Sequence, residues 1–268
     1  MTHNAAVVGS PISHSLSPVL HRAAYRALGL DDWIYWGLEV NVEQLPAFVE
    51  GLDQTWVGLS LTMPLKEAVL DLADEVSWAA QVTTSANTLL LDGRRAHNTD
   101  VDGLRVALQR AGFDVAPGFS GTIAGAGATA RSAVAAMHQL GAGQVHLLAR
   151  RPGNAAPAVR TADLIGVDLR VHPFDDTDHL GADLVIATVP SGVADHLAKR
   201  TPASPGWLLD VVYSPWPTVF AGEWSRRGGH IVSGLEMLLA QAERQVELMT
   251  GSPAPTDVMR AALPTTHK

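Results

Sequence analysis

The chain has 268 residues, enough for one large domain or two ordinary ones, and two is the better reading. Hydrophobic residues at 47% and charged residues at 17% describe a folded protein, and a net charge of −8 excludes a general nucleic-acid or anionic-membrane binder, whose footprint would be basic. The absence of cysteine removes disulfides, thiolate metal sites and cysteine nucleophiles. No basic-then-apolar leader or ~20-residue apolar span is visible, so a cytoplasmic enzyme is expected.

Ala5 to Val8 reads as a buried strand, followed by a hydroxyl-rich loop from Gly9 to Pro18. Ser17 before Pro18 reads as the N-cap of a helix that runs to about Leu28 and stops at Gly29. Ser15 has no such structural use in this reading and is a candidate ligand group. Ile34 to Val40 is expected to be a strand, Val42 to Leu52 a helix, and Val57 to Leu61 a third strand. This alternation predicts a parallel sheet with its ligand edge at the strands' carboxyl ends.

The loop after Leu61 lies at that edge and holds Thr62 and Lys66, ahead of an expected helix carrying Val69, Leu70 and Leu72. A lysine at a helix start is unfavourable for the dipole, so Lys66 is a candidate for chemistry. Leu89 to Leu91, a turn at Asp92-Gly93 and a returning strand predict a hairpin with Asn87 and Asp100 near its base. Asp100 reads either as the N-cap of a helix from Val101 to Arg110 or as the partner of Lys66. A lysine and a carboxylate among Ser, Thr and Asn side chains suit a small polyhydroxylated acid.

A change of character follows near Gly103. Thr122 to Ala124, the turn Gly125-Ala126-Gly127-Ala128-Thr129-Ala130, a helix carrying Val134, Met137 and Leu140, and a strand from Gln144 to Leu148 form a βαβ unit. Glycines at positions 125 and 127, with Ala130 in the third place, allow a pyrophosphate to approach the backbone and the helix N-terminus. The strand tip bears Arg150 and Arg151 where an NAD site carries an acid. Guanidinium groups there favour the 2′-phosphate of NADP, the plainer reading being a solvated strand end.

Alternation then continues through a helix around Val159 to Leu164 and strands at Leu169–Val171, Leu184–Ala187, Trp207–Val211 and His230–Val232. From Gly234 a long amphipathic helix and a short one from Thr256 to Leu263 are expected to return to the first domain. The eleven histidines show no ligand spacing, and no metal site is expected.

The chain resembles the shikimate dehydrogenases over nearly its whole length. The resemblance rests on Gly9–Pro18, Thr62-Met63-Pro64-Leu65-Lys66, Ala86-Asn87-Thr88, Asn98-Thr99-Asp100, the glycine turn, Asp210–Pro215 and Gly234-Leu235-Glu236-Met237-Leu238. It implies an α/β protein of two domains. Residues 1–103, completed by C-terminal helices in 237–268, would form the substrate domain, and 104–236 a Rossmann-like, doubly wound NADP domain. It also implies reversible reduction of 3-dehydroshikimate to shikimate by NADPH, in a monomer or homodimer that binds neither nucleic acid nor membrane.

By the same resemblance, Ser15 and Ser17 would hold the substrate carboxylate with Tyr213, while Thr62, Lys66, Asn87, Asp100 and Gln241 would contact ring hydroxyls. Lys66 and Asp100 would be the catalytic pair. Thr188, Val211 and Gly234 would complete the cofactor site made by residues 125–130, Arg150 and Arg151. The chain departs from the family pattern at Ser60, His97, Ala149, the Ala187–Val189 segment, Val246 and Met249. Alternatives on the same scaffold are a quinate or aminoshikimate dehydrogenase, and outside it a catalytically silent NADP-binding sensor. A metal-dependent hydrolase is the weakest reading.

Overall fold

Two six-stranded sheets, each with its own core, organise the protein in a computed structural model that describes residues 2–263. The described residues up to Asp100, together with those from Leu238 on, make one unit, and Val101–Met237 make the other.

The first unit begins with β1 (His3–Gly9), which pairs in parallel with β2 (Trp33–Glu39) and β3 (Trp56–Leu61). The sheet continues through β5 (Thr88–Leu90) and β6 (Arg95–His97) to a two-residue strand, β4 (Glu75–Val76), in the order β2-β1-β3-β5-β6-β4. The parallel pairing expected of the first three strands and the expected hairpin are both present; what the sequence reading did not give is that β3 joins the hairpin β5–β6 antiparallel. A tight turn at Asp92-Gly93 can only reverse the chain, so the sheet is mixed.

The helices of this unit are α1 (Ser17–Ala27), α2 (Leu45–Glu50) and α3 (Trp78–Thr83). The second is shorter than the sequence pattern predicts, since Asn41 and Gln44 exchange side-chain-to-backbone hydrogen bonds of 3.0 and 2.9 Å that hold the residues before Leu45 in a turn. Ser17 does not cap α1. It lies within the helix, behind Leu16, and its own amide donates to Ser15 Oγ at 3.3 Å, so Ser15 does have a local structural role. After Lys66 comes a 3₁₀ turn, Ala68–Leu72, in place of the expected α-helix. Ala73 is already extended and Asp74 donates to Arg94 O, so the segment is too short for more.

The second unit carries β7 (Ser120–Ala124), β8 (Gln144–Ala149), β9 (Asp168–Pro173), β10 (Leu184–Ala187), β11 (Trp207–Asp210) and β12 (His230–Ser233). All are parallel, in the order β12-β11-β10-β7-β8-β9. This is the doubly wound dinucleotide order, with its switch point between β7 and β10. The helices are α4 (Asp100–Ala111), whose first residue belongs to the first unit, α5 (Ala128–Leu140), α6 (Ala156–Ile165) and α7 (Val219–Arg226).

The last two helices are α8 (Gly234–Thr250) and α9 (Thr256–Ala262). As the amphipathic pattern predicts, Leu239, Ala242, Val246, Met249 and Met259 enter the first unit's core, against Leu20, Ala24, Tyr25 and Tyr35. At roughly 1.5–3 kcal/mol for each fully buried large side chain, this contact is ample to hold the returning segment.

Candidate active site

Two loops at the carboxyl ends of β1 and β3 are sewn together by their backbones. Ser10 N donates to Met63 O at 3.1 Å and Thr62 N to Val8 O at 3.0 Å. Gly9 is obligatory there, because a Cβ at that position would collide with Thr62 and Met63. The serine loop with Ser15 and Ser17 therefore adjoins the loop with Thr62 and Lys66. Lys66 sits in a turn rather than at a helix start, and its carbonyl accepts from Ala86 N at 2.7 Å. Its address is set by that tertiary bond, so the helix-dipole argument does not apply.

Lys66 Nζ lies 2.6 Å from Asp100 Oδ2, with side-chain exposures of 18% and 6%. The pair is mostly out of water, with a fraction of the Lys66 side chain still exposed. The other carboxylate oxygen of Asp100 accepts from Asn87 Nδ2 at 2.9 Å, and the same amide nitrogen lies 2.9 Å from Thr99 Oγ1 and 3.2 Å from Gln241 Oε1. Thr99 N donates back to Asn87 Oδ1 at 2.8 Å, which fixes the orientation of the amide. Asn98 Oδ1 accepts from Asp100 N at 3.0 Å. Lys66, Asn87, Asp100 and Gln241, named from sequence, thus form one cluster.

Behind it lies a buried layer that the sequence reading missed. Gln245 Nε2 donates to Asn87 O and Thr88 Oγ1, both at 3.0 Å, and its Oε1 accepts from Ser60 Oγ at 2.8 Å. Tyr35 OH donates to Ser60 Oγ at 2.6 Å, and His21 Nε2 is 3.3 Å from Gln245 Oε1. His21 stacks on Tyr35 at 4.0 Å. Burial, partly offset by Gln245, holds His21 down to about 3, so the ring is neutral and can donate. Ser60 and Gln245 are therefore structural complements, with Asn87 as the point where their network meets the lysine–carboxylate pair.

In the second unit the glycine turn joins β7 to α5. Gly125 has φ +125°, and a Cβ there would strike Thr188, whose hydroxyl donates to Ala124 O at 3.1 Å. Gly127 precedes the first turn of α5 with open space where its Cβ would be, while Ala130 is fully buried. The absence of any side chain at Gly127 leaves room beside the start of α5, as an incoming pyrophosphate requires. Arg150 and Arg151 are exposed beyond β8, and neither guanidinium has a protein partner among the described residues. The donor set fits a nucleotide with an additional phosphate.

Val211 and Gly234 approach each other so closely that a side chain on Gly234 would overlap the Val211 backbone. Asp210, at the end of β11, accepts from Thr218 Oγ1 at 2.7 Å and Val212 N at 3.1 Å, which anchors the turn bearing Tyr213. Burial raises the Tyr213 hydroxyl above the usual phenol value, leaving it a neutral donor.

Comparison with known proteins agrees with this layout. Residues 7–89 match the family model described as shikimate dehydrogenase substrate binding domain, and residues 234–263 that of the shikimate 5′-dehydrogenase C-terminal domain. The chain is 36% identical to a shikimate dehydrogenase (NADP(+)) of Methanothermobacter thermautotrophicus, over 98% of this chain and 96% of the relative. Among solved structures it is similar to the Mycobacterium tuberculosis shikimate dehydrogenase, with 42% identity, a TM-score of 0.88 and coverage of 97% and 98%. It is also similar to the Thermus thermophilus enzyme in complex with NADP(H) and shikimate, with 32% identity, a TM-score of 0.85 and coverage of 98% and 100%. No helix among the described residues is long and apolar enough to cross a membrane.

Proposed function

The chain belongs to the shikimate dehydrogenase family, and from that premise we propose that it catalyses 3-dehydroshikimate + NADPH + H⁺ ⇌ shikimate + NADP⁺. The observation that carries the proposal is the 2.6 Å Lys66–Asp100 pair, held by Asn87.

The bound nicotinamide supplies or accepts the hydride. The protein's own task is to hold the ring and to manage one proton. Lys66 Nζ donates that proton to the oxygen on which negative charge develops, and its ammonium stabilises the charge beforehand. Asp100 keeps the ammonium in place and compensates its burial, while Asn87 fixes the carboxylate's rotamer. Thr62, Asn87, Asp100, Gln241 and Lys66 take the ring hydroxyls. Ser15, Ser17 and the neutral Tyr213 hydroxyl take the substrate carboxylate. Residues 125–130, Thr188, Val211 and Gly234 receive the dinucleotide, with Arg150 and Arg151 on its 2′-phosphate. A cytoplasmic setting fits an NADPH-linked step on a soluble acid.

The test is the formation of NADPH from NADP⁺ with shikimate, quinate and an aminoshikimate compared at equal concentration. Turnover is expected with shikimate above the other two. Higher turnover with either of the others would overturn the substrate assignment, and no turnover with any of them would overturn the enzyme reading.

A further inference from the structure

On the β8–β9 side of the second unit, away from the glycine turn in sequence, three histidines converge. His146 on β8 and His172 on β9 point to the same face of the sheet, since His146 pairs with Arg170 and Leu148 with His172 in the parallel register. His179, in the 3₁₀ turn Asp178–Gly181, is brought over them by a bond from Thr122 Oγ1 to its carbonyl at 2.6 Å. Its ring stacks on His146 at 4.0 Å with 12° between planes, and its centroid is 3.9 Å from that of His172.

From these contacts we infer that His146, His172 and His179 form a binding site for a borderline divalent transition ion of the Zn²⁺ class, with Asp176 as the carboxylate that orients His172. One nitrogen from each ring can be chosen so that all three lie within 4.8 Å of one another. His146 Nδ1 and His172 Nε2 are already 3.0 Å apart, close to the ~3.3 Å between ligands of a tetrahedral ion with bonds of ~2.0–2.1 Å. Asp176 Oδ2 is 3.5 Å from His172 Nδ1 and 3.8 Å from His179 Nε2, while its Oδ1 accepts from Asp178 N at 3.2 Å. That is the arrangement of a carboxylate supporting imidazole ligands.

The site is accessible, with His172, His179 and Asp176 retaining 20%, 24% and 29% side-chain exposure. Three imidazoles supported by one carboxylate favour zinc, nickel or copper over the oxygen-seeking magnesium and calcium. Arg170 opposes a cation here, but its charge is engaged by Asp168 at 3.3 Å. The β9–β10 connection has no α-helix, so an ion would pin its 3₁₀ turn to the sheet.

The test is calorimetric titration of untagged, chelator-treated protein with ZnCl₂, alongside MgCl₂. One Zn²⁺ per chain is expected, with a rise in melting midpoint and no response to Mg²⁺. His172→Gln and His179→Gln should each weaken binding by at least the ~10–100-fold that loss of a supporting partner costs, whereas His138→Gln, on the exposed side of α5, should bind as the wild type does. Zinc-edge anomalous scattering from zinc-soaked wild-type crystals reads the position without any substitution. Absence of binding, unchanged affinity in both variants, or an anomalous peak elsewhere would overturn the assignment.

Discussion

The two sites are built on opposite plans. Around Lys66 the chain supplies both partners of almost every polar contact. Asp100 is held by Lys66 and Asn87, Asn87 by Thr99 and Gln245, and Gln245 by Ser60 and His21. At the glycine turn the protein supplies a side-chain-free Gly127 and two guanidiniums with no partner among the described residues. The first site is rigid before any ligand arrives and the second is completed by its ligand. Substitutions in the first should therefore act on kcat, and substitutions in the second on nucleotide affinity.

The sharpest way to break this contrast is Lys66→Ala. Loss of a positioned proton donor should lower kcat by ~10²–10⁴-fold while NADPH affinity stays within a few-fold, as read by steady-state rates and fluorescence titration. The Arg150→Ala, Arg151→Ala double variant is its mirror image. Losing charge-assisted bonds worth ~1.5–3 kcal/mol each should raise KM for NADP⁺ at least tenfold, narrow the preference over NAD⁺, and leave the rate at saturation near wild type.

Much of this division is legible in the sequence, for a physical reason. The glycine turn is local, so spacing alone places it, and Lys66 and Asp100 stand out by their addresses, Lys66 after the carboxyl edge of a sheet and Asp100 at the base of a hairpin, although the helix start invoked for Lys66 is a turn. The layer behind them depends on Gln245, whose partners lie 157 to 224 positions away. Gln245 reads as one more helix amide and Ser60 as a departure from a family pattern. A signal did exist: Gln241 and Gln245, four residues apart, interrupt the apolar stripe of Leu238, Ala242 and Val246. Amides there must find buried partners. The turn holding Lys66 and the antiparallel β3–β5 pairing were hidden because both are set by tertiary hydrogen bonds.

Gln245→Ala sharpens the comparison from the inner side. It would leave the Ser60 hydroxyl without its acceptor, Asn87 O keeping only Leu61 N, at a cost of about 1–3 kcal/mol in stability, read by denaturant unfolding. kcat should fall because Asn87 loosens, with NADPH affinity unchanged. The effect expected at His21 is absent at neutral pH and appears only in acid. With its folded value near 3 and an ordinary value of 6.5, the unfolded chain takes up a proton in that interval that the folded chain refuses, so stability falls as pH drops from 6.5 to 3. His21→Phe should flatten that limb of the stability curve, measured by melting midpoint against pH.

The most direct test of the central claim is to measure NADPH dissociation constants and shikimate turnover together in the wild type, Lys66→Ala and the double arginine variant. The account predicts that the lysine variant binds NADPH normally and turns over ~10²–10⁴-fold more slowly, while the arginine variant binds weakly and turns over near the wild-type rate at saturation. Equal losses of binding and turnover in both variants would contradict the separation of the two sites.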